Sequence, residues 1–189
     1  METHSINTVE KSITSLPKIP LVPLTQDAFA EFGYVVERKQ DGKAGISVNQ
    51  GRGDKKIICE NFENLRPRAK VCLSVFHLRP STLPIEVALL EKHPHSSQAF
   101  IPMCPQNSSV EESYYLVMVA SGTDTSIPGA LKAFKAKASQ GIIYHPGVWH
   151  YPLAVLKKEQ SFSCMVFEDE RDPAGNTVES TVTQKVMVH

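Results

Sequence analysis

The stretch SYYLVMVASG, residues 113–122, gives the strongest strand signal in the chain and decides the class of fold to expect. It joins two tyrosines to leucine, methionine and two valines, and aromatic and β-branched side chains favour the extended backbone of a strand. A Ser-Gly pair follows, and small residues of this kind commonly bound strands. The stretch therefore predicts a strand, which needs partner strands elsewhere in the chain.

A second strand signal lies in KVCLSVFHL, residues 70–78. Side chains alternate between the two faces of a strand, so Val71, Leu73 and Val75 share one face and the intervening residues share the other. This alternation predicts one face in a core and one in a more mixed environment. Shorter extended segments are predicted at YVVER (34–38), SSQAFIPM (96–103), YPLAVL (151–156) and SFSCMVFE (161–168), while TLPIEVALLEKHP (82–94) is compatible with strand or helix.

Two short helices are predicted. Thr25 can cap the first, whose Ala28, Phe29 and Phe32 share one face. The second is predicted in TSIPGALKAFKAKA, residues 125–138, where Pro128 is acceptable in the first turn. Many short strands with only two helices predict a mainly β fold, a single antiparallel barrel or sandwich.

Composition limits the function classes. The chain has 189 residues, 20 Lys and Arg against 20 Asp and Glu, and 41% hydrophobic residues, which fits one globular domain. A formal net charge of zero predicts no nucleic acid and no membrane surface as partner, and no apolar run reaches the ~18–20 residues that span a bilayer. We expect residues 1–16 to form a flexible polar tail and residues 17–189 a single domain. The four cysteines form no CxxC pair, which predicts reduced thiols and a cytoplasmic protein.

Two stretches carry candidate site residues. In EKHPHSSQAFIPM, residues 91–103, an extended chain would let His93 and His95 point the same way, with Gln98 a few residues further on. In GIIYHPGVWHYPL, residues 141–153, alternation places His150 on the face opposite Trp149, just after a Pro-Gly turn. Imidazoles brought together from two strands would make either a metal site or an acid–base site, and these alternatives stay open.

These two stretches resemble the ureidoglycolate lyase family of purine degradation. The first shared pattern is E-x-HP-x-x-x-QAFIPM, beginning at Glu91, and the second is YH-x-x-x-WH-x-P, beginning at Tyr144. Weaker echoes are PLTQDAF near the N-terminus, NQG at residues 49–51 and VES near the C-terminus. The resemblance therefore runs from about residue 20 to about residue 180.

The resemblance implies a cupin-like antiparallel β-barrel with few helices. It implies His93 and His150 as catalytic residues, and it associates substrate binding with Gln98, His145, Tyr144 and Asn49. A divalent metal, nickel or a similar ion, is associated with some members, and the cupin metal pattern would place it on His93, Gln98 and His150. No organic cofactor is expected.

The reaction implied is the cleavage of (S)-ureidoglycolate into glyoxylate and urea in allantoin catabolism, by a cytoplasmic homodimer. A base must take the hydroxyl proton as the carbonyl forms, and an acid must protonate the leaving urea nitrogen; histidine can serve as either. Arg52, Arg68 and Arg79 are equal candidates for the group that holds the substrate carboxylate. A different class remains as an alternative, a non-catalytic cupin that binds ureides or other small ligands, and a metal-dependent isomerase or dioxygenase is a third.

Overall fold

The computed structural model describes residues 18–37, 45–103, 114–121 and 131–188, with the backbone alone for 183–187. Within these residues the chain forms one α-helix, α1 (Gln26–Phe29), and short 3-10 turns at Asn49–Gly51 and Pro173–Gly175. It also forms fifteen strands: β1 (Lys18–Ile19), β2 (Leu21–Pro23), β3 (Gly33–Val36), β4 (Ile46–Val48), β5 (Gly53–Lys55), β6 (Lys70–Leu78), β7 (Ile85–Lys92), β8 (Gln98–Pro102), β9 (Tyr114–Ala120), β10 (Leu131–Lys137), β11 (Gly141–Tyr144), β12 (Trp149–His150), β13 (Ala154–Leu156), β14 (Gln160–Glu168) and β15 (Val178–Val188).

The strands form two main sheets. The first, sheet A, has the order β1-β15-β7-β12-β9-β10-β2, with β13 also paired to β9. The second, sheet B, has the order β3-β11-β8-β14-β6, and β4 with β5 forms a separate hairpin. Pairing is antiparallel except where β1 meets β15 and where β2 meets β10. The prediction of a mainly β, mainly antiparallel fold is confirmed, and the arrangement is consistent with a cupin-like sandwich or barrel.

Strand β9 lies at the centre of the packing, which explains why its sequence is almost wholly apolar. Tyr115, Val117 and Val119 face a core that contains Phe162 of sheet B, and the T-shaped rings of Tyr115 and Phe162 have centroids 5.0 Å apart. The alternate residues, among them Met118, join a second apolar cluster on the opposite face of sheet A. A strand buried on both faces needs hydrophobic residues at every position rather than at every second one.

Helix α1 begins where it is predicted, and the side chain of Thr25 accepts a hydrogen bond from the backbone nitrogen of Ala28. It ends at Phe29, earlier than predicted, so Phe32 lies in the turn that follows. The second predicted helix is wrong over the residues that the structure describes. Residues 131–137 form strand β10 between β9 and β2, with Phe134 buried and Lys132, Lys135 and Lys137 exposed. Pairing with β9 stabilises the strand by more than local propensity stabilises a helix, because helix propensity is a weak preference that tertiary contacts override. Residues 125–130 of that prediction lie outside the described residues.

Strand β6 has the predicted bounds but not the predicted burial. Val71, Leu73 and Val75 are 57%, 73% and 63% exposed, and no residue of β6 is buried. The aliphatic face is therefore exposed, and the opposite face meets the core only partly, through Leu78 and through Phe76, whose ring centroid lies 5.4 Å from that of Phe100. Strand β6 is the edge strand of sheet B, paired only with β14 among the described strands. An alternating pattern records that a strand has an apolar face but not what that face meets.

The ambiguous segment 82–94 resolves into strand β7, which pairs with β15 and β12. The predicted tail, residues 1–16, lies outside the described residues. The single domain predicted for residues 17–189 stays a prediction. No helix within the described ranges is long and apolar enough to cross a membrane.

Candidate functional site

The site begins at the end of strand β7, where Glu91 and His93 project to the same side. Lys92, between them, projects the other way, and its Nζ lies 4.4 Å from the centroid of the Trp149 ring. This opposition follows from the alternation of side chains along a strand. Glu91 pairs with His150 of β12 in the sheet, so β7 and β12 bring the two motifs of the sequence together.

His93 is 8% exposed and is held by groups from distant parts of the chain. Its Nδ1 donates to the backbone oxygen of Asn176 at 3.0 Å, and Thr177 Oγ1 lies 3.3 Å from the same nitrogen. The backbone nitrogen of Gly147 donates to the carbonyl oxygen of His93 at 2.8 Å, which fixes the Pro-Gly turn against this residue. A carbonyl oxygen can only accept, so the neutral imidazole carries its proton on Nδ1 and presents a lone pair on Nε2.

His150 is 2% exposed and is oriented in the same manner. Its Nδ1 donates to the carbonyl oxygen of Val148 at 2.9 Å, and its Nε2 lies 3.3 Å from Glu91 Oε1. That approach is close enough for an ion pair but does not have hydrogen-bond geometry. The ring of Tyr144 stacks on the other side, with centroids 4.2 Å apart and planes 14° apart. Trp149 packs into the opposite apolar cluster, as the alternation predicts.

Glu91, His93 and His150 form one cluster, hereafter the triad. One potential ligand atom from each lies within 4.8 Å of the others, and the two imidazole centroids are 5.8 Å apart. Two imidazole nitrogens and a carboxylate oxygen are donors that suit a divalent transition metal. The same atoms could move protons, because an imidazole is both acid and base near neutral pH.

The polar atoms around the triad have no partners within the protein as described. His93 Nε2, His150 Nε2, Gln98 Oε1 and the Tyr144 hydroxyl are all buried without a hydrogen bond. Leaving such groups unpaired costs free energy, about 1–3 kcal/mol each, and native interiors satisfy nearly all of them. Four of them in one region indicate a place for a polar ligand or an ion.

The electrostatics set the resting protonation states. Burial, and then the neighbouring His150, lowers the pKa of His93, so this imidazole is neutral at neutral pH. The close approach of His150 lowers the pKa of Glu91, although partial burial opposes the shift, so the carboxyl is ionised. Burial raises the pKa of Tyr144 well above its ordinary value, so the hydroxyl keeps its proton and can donate it in a hydrogen bond.

The structure gathers some of the predicted site residues and separates others. Gln98 is buried on β8 and pairs with Tyr144 in sheet B. His145 points away from the triad: its Nδ1 lies 3.6 Å from Glu63 Oε1, and its ring meets the edge of Tyr34. Asn49 is exposed in the hairpin turn between β4 and β5, where its φ is 53°.

His95 does not join His93, because residues 94 and 95 form a turn instead of extended chain, and His95 is exposed. The three arginines proposed for the substrate carboxylate are also exposed: Arg52, Arg68 and Arg79. Sequence reasoning assigned no role to Glu91, although its position two residues before His93 on a strand was a usable signal. It also gave no indication of Asn176, which lies 83 residues from its partner His93.

The fold and the triad define a two-sheet, mainly β protein with a buried site of two histidines and a carboxylate. Residues 16–189 match the family model described as ureidoglycolate lyase. The chain is 34% identical over 154 residues to the ureidoglycolate lyase of Pseudomonas putida strain F1, covering 82% of this chain and 84% of that protein. It is 32% identical over 158 residues to those of Pseudomonas paraeruginosa strain PA7 and Stutzerimonas stutzeri strain A1501, covering 84% of this chain and 86% and 85% of theirs. The chain belongs to the ureidoglycolate lyase family.

Proposed function

We propose that this protein cleaves (S)-ureidoglycolate into glyoxylate and urea at the triad. The observation that carries the proposal is the pair of buried Nε2 atoms, that of His93 without a hydrogen bond and that of His150 only 3.3 Å from the ionised carboxylate of Glu91. We infer the substrate class from the relatives that are named as ureidoglycolate lyases. The triad supplies a neutral imidazole on His93 and an ionised carboxylate on Glu91, beside the second imidazole of His150.

The substrate carbon carries a hydroxyl, a carboxylate and the ureido nitrogen, and cleavage moves two protons. His93 is neutral, with a lone pair on Nε2, and we assign it the base that takes the hydroxyl proton as the carbonyl forms. His150, whose Nε2 proton Glu91 would stabilise at 3.3 Å, is the acid that protonates the nitrogen as the carbon–nitrogen bond breaks. Return of the proton from His93 to His150 through water resets the site. Each such transfer contributes roughly 10²–10⁴-fold in rate.

Buried polar groups beside the triad suit the rest of the substrate. Gln98 has both a donor and an acceptor on its amide and can pair with the ureido group. The Tyr144 hydroxyl can donate to an oxygen of the substrate, since it keeps its proton. The substrate-binding roles predicted for His145 and Asn49 stay predictions, because these two side chains lie away from the triad.

A divalent metal fits the triad, since the two histidine Nε2 atoms are buried without hydrogen bonds and one donor atom from each residue, half-buried Glu91 included, lies within 4.8 Å of the others. Glu91, His93 and His150 would hold it, so Glu91 replaces Gln98 in the ligand set that we propose. Because the ion would occupy the Nε2 lone pairs of both histidines, this metal site is an alternative to the base and acid roles assigned above. When bound, the ion would supply a Lewis acid at this point of the interior. Its identity, nickel or a similar ion, stays a prediction, and elemental analysis of protein purified without chelator or histidine tag would determine it.

We further propose a cytoplasmic homodimer acting in allantoin and purine catabolism. Cys59, Cys72 and Cys164 are all free thiols, as expected in a reducing compartment, while Cys104 lies outside the described residues. The exposed apolar row on edge strand β6 supports association, because such edges are usually covered in soluble proteins.

The direct test is to incubate the purified protein with racemic ureidoglycolate and to measure glyoxylate, urea and ammonia. We expect equimolar glyoxylate and urea from one enantiomer only. Release of ammonia in place of urea would contradict a lyase and indicate an amide hydrolase. Binding of the substrate without turnover would instead identify a ligand-binding protein.

A further inference from the structure

We propose that Arg66 is a positioning residue that acts through Asn176 to hold the imidazole of His93 in one tautomer and one orientation. The inference rests on the proposed function and extends it to residues outside the triad. Arg66 does not contact the triad directly. Its effect is carried by the loop between β14 and β15, which ends at Asn176.

The two histidines are fixed by carbonyl oxygens of different origin. Val148, which accepts from His150 Nδ1, is only two residues away in the same turn, so local backbone geometry sets its position. Asn176, which accepts from His93 Nδ1, is 83 residues away. The orientation of His93 therefore depends on whatever holds the loop that carries Asn176.

The side chain of Asn176 is held at both ends of its amide. Its Oδ1 accepts from the backbone nitrogen of Asp169 at 2.8 Å and from Nη2 of Arg66. Its Nδ2 donates to the backbone oxygen of Asp169 at 3.3 Å. These bonds close residues 169–176 into a loop and fix the carbonyl of Asn176 where His93 meets it.

Arg66 joins the middle of this loop to its end. Nη1 lies 3.3 Å from both the backbone oxygen and the Oδ2 atom of Asp172, while Nη2 reaches Asn176. The Arg66 side chain is only 14% exposed, and its buried Nε has no partner. Burying most of a cation with one donor unpaired costs free energy, which the bonds of Arg66 to Asp172 and Asn176 offset.

Gly175 lies directly against the side chains of Asp172 and Arg66. A Cβ atom built on Gly175 would lie 2.3 Å from Asp172 Oδ2 and 3.0 Å from Arg66 Nη1. The guanidinium is a planar fork whose several N–H groups reach separate acceptors at once, which an ammonium group cannot reproduce. Arg66 therefore has the geometry to set the position of the Asn176 carbonyl.

The test compares Arg66→Met and Arg66→Lys with wild type, and uses Arg171→Met, an exposed arginine of the same loop, as the matched control. Nitrogen-15 NMR of metal-free protein reports the tautomer of His93, and steady-state kinetics with ureidoglycolate report kcat and KM. In wild type we expect a single neutral tautomer with the proton on Nδ1. In Arg66→Met we expect a mixture of tautomers and a fall in kcat of about 10–100-fold with KM nearly unchanged. Arg66→Lys should recover part of the loss, and Arg171→Met should match wild type.

A purely structural role would look different. If Arg66→Met lowers the melting temperature but keeps the Nδ1 tautomer and kcat, or if only KM changes, the proposal is wrong. If Arg66→Met does not fold, Asn176→Ala replaces it, since it keeps the backbone carbonyl and removes the side chain that anchors it; an unchanged His93 tautomer there also overturns the proposal. Absence of ureidoglycolate turnover in wild type would reject the proposed function alone, because the NMR measurement needs no activity.

Discussion

The ring of Tyr144 lies flat against the imidazole of His150, with centroids 4.2 Å apart, and its hydroxyl is buried without a partner. The stacking positions His150 from one side while Val148 positions it through Nδ1. Burying the unpaired hydroxyl costs free energy, and a hydrogen bond to bound substrate would offset that cost. The ring contact with His150 and the proposed hydrogen bond from the hydroxyl to substrate can therefore be tested separately.

Tyr144→Phe separates them. The ring contact with His150 is preserved, and loss of an unsatisfied hydroxyl should leave the free energy of unfolding unchanged or raise it by up to about 1 kcal/mol. If the hydroxyl donates to the substrate, kcat/KM should fall at least ~10-fold, since a lost hydrogen bond of about 1.5 kcal/mol corresponds to that factor. Urea unfolding and steady-state kinetics measure the two effects. An unchanged kcat/KM would exclude the hydroxyl from substrate binding.

Trp149→Ala tests the opposite face of the same strand. Trp149 is 3% exposed in the second apolar cluster, with Lys92 over its ring. Removing a buried aromatic side chain should lower the free energy of unfolding by about 3–5 kcal/mol. Trp149→Phe should keep most of the stability that Trp149→Ala loses, since phenylalanine fills much of the same volume. A loss near zero in chemical denaturation would contradict the burial of Trp149.

Stability should fall as the solution becomes acidic, because two triad groups resist protonation in the folded chain. His93 has a folded pKa below its ordinary value of 6.5, and Glu91 has one below 4.5. As the pH falls below 6.5, the unfolded chain binds a proton on His93 that the folded chain does not, so the unfolded state gains. Below pH 4.5 Glu91 acts in the same direction. The contribution of His93 fades above pH 6.5, as the unfolded chain also loses that proton.

Urea unfolding of chelator-treated protein at pH 7.5, 6.0 and 5.0 measures this dependence. Wild type should lose stability progressively over that range, and His93→Gln should lose less between pH 7.5 and 5.0. His95→Gln, which changes an exposed histidine two residues away, should keep the wild-type slope. Equal slopes in all three proteins would mean that the titration of His93 is not coupled to folding.

Leu73→Glu tests the proposed homodimer. Leu73 is 73% exposed on edge strand β6 between Val71 and Val75, so a carboxylate there is tolerated in a monomer but would be desolvated in an interface. We expect light scattering to show about half the wild-type mass while the melting curve stays cooperative. Ile46→Glu, at an exposed apolar residue of the β4–β5 hairpin, is the control. A dimeric Leu73→Glu protein would place the interface elsewhere.

The parts of the fold and site that the sequence predicted are those encoded locally. The apolar run of β9, the Thr25 cap and the opposition of Trp149 and His150 each follow from residues within one short segment. Residues 131–137 carry a helix-compatible pattern, and only their pairing with β9 and β2 makes them a strand. Asn176 and Arg66 meet across 110 residues of chain, and no local pattern encodes such a contact. The burial of His93 and the exposure of His95 likewise depend on a turn that the extended reading of that segment did not include.

His150→Asn gives the sharpest test of the catalytic assignment. Asparagine is polar and of similar length, and its amide can still donate to the Val148 oxygen, so the fold should persist. If His150 delivers the proton to the leaving nitrogen, kcat should fall at least ~10²-fold. His95→Asn provides a control at an exposed histidine, where kcat should not change. Circular dichroism and steady-state kinetics check both variants.

A folded His150→Asn protein with nearly wild-type kcat would show that His150 is structural. Recovery of activity on adding Ni²⁺ or Mn²⁺ would instead identify His150 as a metal ligand. Excess ion can refill a weakened site that still has Glu91 and His93, but it cannot replace a lost proton donor.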